Sequence, residues 1–103
     1  MNTPAEVMAR LGEIEADLAI RQNALESAAM NWFAAKRDRE KARAIVFLGT
    51  QGTVAERSAK ADEQTALDAK NEEAEWEALK AVVRTLETRA NIGMALLKAQ
   101  GRA

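Results

Sequence analysis

From Val7 onward, apolar or alanine positions recur at alternating steps of four and three residues through Val7, Leu11, Ile14, Leu18, Leu25, Ala28, Trp32, Ala35, Ala42 and Val46. A 3.5-residue period keeps one helix face turned towards a partner helix and implies left-handed supercoiling. Arg21 and Arg39 fall on the same register. Charged seam positions either fix register and oligomer number or carry their charge out of the seam on an apolar stem. Thr3, Pro4 and Glu6 supply an N-cap, a first-turn proline and a carboxylate placed to close a capping box. The pattern predicts a first helix over about 4–48.

Gly49, Thr50, Gln51 and Gly52 interrupt it, the two glycines giving the backbone freedom to reverse. Thr53 and Glu56 then repeat the capping-box spacing, and a second helix is expected over about 54–99. Its apolar face is uneven. Residues 55–75 offer mostly alanine, with Leu67 as the one large aliphatic, whereas Trp76, Leu79, Val83, Leu86, Ala90, Gly93 and Leu97 form a regular seam flanked by Val82, Met94 and Leu96. A bend or fraying near 60–72, giving three helices, is the structural alternative.

Two matched helices joined by a turn at 49–52 describe an αα-hairpin. The expected fold is therefore all-α, a long two-helix hairpin forming a single domain over 1–103. A chain of 103 residues built this way encloses little interior of its own. The hairpin is expected to assemble into a homo-oligomeric helical bundle or ring through Leu11, Ile14, Leu18, Leu25, Trp32, Trp76, Leu79, Val83, Leu86 and Leu97. A heterologous partner helix on the same faces is the alternative.

Composition supports the helical reading and narrows the chemistry. Alanine accounts for 23 residues and Pro4 is the sole proline. Histidine, cysteine and tyrosine are all absent, which removes the usual general base, thiol nucleophile, phenol and soft metal ligands. An enzyme is not expected, and neither is a metal or other cofactor. Glu72, Glu73, Glu75 and Glu77 form an acidic run, but helix-bundle metal sites pair glutamate with a histidine one turn away. That run reads as a solvated face. The N-terminus lacks the basic start and apolar run of a secretory leader, and no apolar stretch reaches the roughly 20 residues a bilayer requires, so a cytoplasmic protein without membrane contact is expected.

The net charge of −1 conceals a segregated distribution. Residues 1–35 carry 2 basic and 5 acidic groups, 36–60 carry 7 and 3, 61–78 carry 1 and 7, and 79–103 carry 5 and 1. Exposed charges act over a Debye length of about 8–10 Å, so the blocks govern recognition more than the total. The segment Lys36, Arg37, Asp38, Arg39, Glu40, Lys41, Ala42, Arg43 lies just before the turn. A hairpin centred near residue 51 brings Arg57 and Lys60 back beside Arg43 and Lys41, with Phe47 at hand as a stacking aromatic. Such an end suits a flexible single strand, held by phosphate neutralisation and base stacking. Cations near a helix C-terminus also complement its dipole without any ligand.

The same segment carries a family likeness. Lys41-Ala42-Arg43, followed six residues later by Gly49 with hydrophobic or aromatic positions between, resembles the Lys-Ala-Arg, aromatic-pair, Gly-turn passage of the UvsY recombination mediators. Trp76, then an apolar helical stretch reaching Arg89 and Gly93, is similar in order to the C-terminal part of that family, and the likeness spans roughly residues 25–97. Val46 stands where the family has an aromatic, and this chain is less basic. The resemblance implies a ring-like homo-oligomer that binds single-stranded DNA and helps a RecA-like recombinase replace single-strand-binding protein, in a host cytoplasm if phage-encoded. It assigns DNA contact to Lys41 and Arg43, while Lys36, Arg37, Arg39, Arg57 and Lys60 join them on charge alone. The competing expectation is a coiled-coil adaptor or chaperone-like protein that binds another protein through its helical seams.

Overall fold

The computed structural model describes residues 3–101. They form three helices and no strand: α1 (Pro4–Gly49), α2 (Val54–Thr65) and α3 (Lys70–Gly101). The all-α expectation holds, and α1 has nearly the predicted bounds. The second helix is divided in two at 66–69, within the 60–72 stretch where the three-helix alternative placed a bend.

The starts of α1 and α2 follow from their caps. Thr3 Oγ1 accepts from the Glu6 amide at 3.2 Å while the Thr3 amide donates to Glu6 Oε2 at 3.3 Å, the reciprocal capping box. Thr53 Oγ1 likewise accepts from the Glu56 amide at 3.2 Å to start α2. The end of α1 is closed by side chains. Thr50 Oγ1 donates to the Val46 carbonyl at 2.7 Å, and Arg57 Nε donates to the Phe47 carbonyl at 2.9 Å. Of the two glycines expected to reverse the chain, Gly52 alone adopts a left-handed φ, +127°.

The division between α2 and α3 falls where the inward face is thin. Inward positions Ala61 and Thr65 are buried, and Ala69, Glu72 and Trp76 are half-buried, so small side chains hold much of this face. Packing of an apolar face supplies most of a helix's stability, and little of it opposes a break here. The chain turns across residues 66–69, where Ala69 takes φ +64° at a cost of about 1–2 kcal/mol for a residue with a Cβ. Thr65 Oγ1 donates to the Ala61 carbonyl at 2.8 Å, a back-bond that favours bending. Leu67 gains no burial from its position, being 85% exposed.

The described residues group into two compact units, 3–26 with 77–101 and 27–76. In the first, α1 and α3 run antiparallel, with Leu11 packed over Gly93 so closely that a Cβ there would lie 2.6 Å from Leu11 Cδ2. Val7, Leu11, Ile14, Val83 and Leu86 are buried, while Leu18, Leu25, Leu79 and Leu97 are half-buried. In the second unit, Trp32 is buried and stacks on half-buried Trp76 with ring centres 6.3 Å apart, and Ala28, Ala61 and Thr65 are buried. The seam residues expected to face another copy are thus turned first towards the chain's own helices. Apolar surface remains uncovered. Met8, Ile20, Met30, Ile45, Leu48, Ile92 and Met94 are each more than half exposed.

Candidate nucleic-acid interface

The basic segment lies on the last turns of α1 in the second unit, and helical geometry divides its cations into two groups. Arg39 and Arg43, four residues apart, are half-buried on the flank of α1 nearer α2. Arg43 Nε donates to Asp62 Oδ1 at 2.7 Å, and the Arg39 guanidinium lies 5.8 Å from the centre of the Trp32 ring. Arg57 is half-buried too, spanning the turn to the Phe47 carbonyl with its guanidinium 4.4 Å from the Phe47 ring centre. All three arginines are thus engaged within the unit.

Lys36, Arg37, Lys41 and Lys60 are exposed, and none forms an ion pair with another described residue. Arg37 and Lys41 share one face of α1 because they are four residues apart. One turn earlier on that face stands Phe33, 53% exposed and 6.1 Å from the Trp76 ring centre. An aromatic face with two unpaired cations one and two turns beyond matches what a single strand requires, since bases stack on the ring while phosphates meet the charges.

Phe33 was missed from the sequence, although the spacing 33, 37, 41 is visible there. Phe47, the aromatic expected to stack, is half-buried and its ring is occupied by Arg57. The hairpin register lies about one turn beyond the expected one. The neighbour of Arg43 on the returning chain is the carboxylate of Asp62, so this part of the turn is neutralised internally. An open cleft of about 430 Å³ beside it is lined by Arg39, Glu40, Arg43, Asp62, Thr65 and Ala66, with equal numbers of acids and bases.

Comparison with family models, with curated proteins and with solved structures finds no match. These comparisons lend no support to the expected likeness to the UvsY mediators, which was drawn on Lys41, Arg43, Gly49, Trp76, Arg89 and Gly93. Of these, Lys41 is exposed and available, whereas Arg43 is shared with Asp62. The described residues contain no cluster of three or more metal-ligating side chains, and no helix is long and apolar enough to cross a membrane. The acidic run is partly engaged, with Glu77 3.1 Å from Lys80.

Proposed function

We propose that this chain is a single-stranded-DNA-binding recombination mediator of the UvsY kind, working as a homo-oligomer that helps a RecA-like recombinase take the place of single-strand-binding protein. The observation that carries this reading is the exposed stripe of Phe33, Arg37 and Lys41, with Lys36 beside it and no carboxylate paired to any of its cations. Stacking on an exposed aromatic contributes about 1–3 kcal/mol per base, and each neutralised phosphate adds a salt-dependent increment. Several copies in one assembly multiply both effects through effective concentration. The strand is then held open by its backbone, accessible to an incoming recombinase.

A second reading has its own support. Ile92, Met94 and Leu96 are exposed on α3, which suits an adaptor that docks a helix of another protein. The two readings separate on charge. Binding of a fluorescent oligo-dT strand, followed by anisotropy, is expected for the native chain and expected to fall at least tenfold when Lys36, Arg37 and Lys41 are all changed to alanine. An adaptor has no need of these cations, so absence of binding by the native chain, or equal binding by the triple variant, overturns the mediator reading.

A further inference from the structure

Phe33 stands at the outer end of a run of aromatic contacts in the second unit. Its ring centre lies 6.1 Å from that of Trp76 with the two planes tilted by 56°, a separation and tilt at which aromatic rings attract one another. Trp76 in turn stacks on Trp32, with centres 6.3 Å apart and planes within 24° of parallel, and the Arg39 guanidinium lies 5.8 Å from the Trp32 ring centre. Exposure rises along the run, from Trp32 at 8% through half-buried Trp76 to Phe33 at 53%. The run therefore starts in the interior and ends at the surface.

An exposed phenylalanine on a helix exchanges rotamers, and a ligand that stacks on it must stop that exchange. Trp76 restrains the Phe33 ring before any ligand arrives, and contact with buried Trp32 restrains Trp76 itself. The nearby charges separate by helix. Lys36 and Arg37 lie one turn beyond Phe33 on α1, whereas Glu72 and Glu73 lie one turn before Trp76 on α3. A phosphate is drawn to the α1 side and repelled from the α3 side, which leaves the rings to the base.

We infer that Trp76 is a positioning residue for single-strand binding, fixing the Phe33 ring as a platform for one unpaired base. Lys36, Arg37 and Lys41 meet the backbone alone and do not register whether a base is attached to it. The braced ring adds a response to the base. The inference rests on the DNA reading proposed above and assigns to α3 a part in a site whose cations all lie on α1.

Anisotropy of a labelled oligo-dT strand, set beside an abasic strand of the same length and charge, tests it. The native chain is expected to bind oligo-dT about tenfold more tightly than the abasic strand, the equivalent of one stacked base, with the same salt dependence for both. Trp76→Leu is expected to erase most of that preference while keeping the affinity for the abasic strand, and Trp76→Phe to restore it. Circular dichroism checks helix content. A second measurement needs no variant: tryptophan emission of the native chain is expected to change on addition of oligo-dT and to stay constant with the abasic strand. Equal binding of the two strands by the native chain, equal emission changes, or a full preference in Trp76→Leu overturns the inference and leaves the phosphate contacts standing. Loss of abasic binding in a Trp76→Leu chain of native helix content overturns it too, since Trp76 is then structural only. Binding of neither strand by the native chain is failure of the DNA reading, and the inference falls with it.

Discussion

Arg57 Nε donates to the backbone carbonyl of Phe47 at 2.9 Å while its guanidinium lies 4.4 Å from the centre of that residue's ring. One side chain at the start of α2 thus closes the end of α1, satisfies a carbonyl with no helical partner, and occupies the aromatic nearest the turn. Its contribution is structural as well as electrostatic.

Arg57→Ala removes a charge-assisted hydrogen bond and a cation–π contact together, and is expected to destabilise the fold by about 1–3 kcal/mol. Denaturant unfolding at fixed protein concentration measures this. Oligo-dT affinity, compared below the unfolding transition, should fall less than for Arg37→Ala with Lys41→Ala. The reverse order would make Arg57 a principal DNA contact.

Asp62 holds Arg43 in an exposed ion pair, with the two side chains 66% and 42% accessible. Such pairs contribute about 0–1 kcal/mol, so Asp62→Asn is expected to leave stability nearly unchanged. It frees Arg43 for a phosphate. Oligo-dT binding should tighten, with the salt slope steeper by about 0.7, the increment for one added phosphate contact.

Ala69 takes a backbone conformation that glycine adopts without a Cβ penalty. Ala69→Gly relieves about 1–2 kcal/mol of local strain and gives back about 0.5–1 kcal/mol through the freer unfolded chain. A net stabilisation of about 0.5–1 kcal/mol is expected, seen as a raised thermal midpoint at constant concentration. A lowered midpoint contradicts the left-handed break.

At Gly93 two effects oppose one another. A methyl group improves helix propensity by about 1 kcal/mol but meets Leu11 Cδ2 at 2.6 Å and Cγ at 3.1 Å. Gly93→Ala should therefore be close to neutral. Gly93→Val sets a β-branched side chain against Leu11 and is expected to cost about 1–3 kcal/mol. Equal thermal midpoints for the two variants contradict the close packing of α1 on α3.

The caps were legible in the sequence because a capping box is local: Thr3 with Glu6, and Thr53 with the Glu56 amide, act within a single turn. The inward positions of α1 and the C-terminal half of α3 were legible through their period. The break at 66–69 was placed only to within a dozen residues, because Ala66, Leu67, Asp68 and Ala69 contain no glycine or proline and the signal is a thin apolar face. Which cations stay unpaired depended on hairpin register. A displacement of about one turn exchanges a basic neighbour of Arg43 for Asp62. Phe47 lost the stacking role for a similar reason, since its ring is taken up by Arg57 across the turn.

The most direct test of the central claim is a salt titration of oligo-dT binding by the native chain and by Arg37→Ala with Lys41→Ala. The logarithm of the binding constant should fall linearly with the logarithm of salt concentration, and the double variant should bind more weakly with a slope shallower by about 1.4 per subunit engaged, two phosphates at about 0.7 each. Binding that ignores salt, or a double variant with the native slope and affinity, would contradict a strand held on the Phe33, Arg37 and Lys41 face.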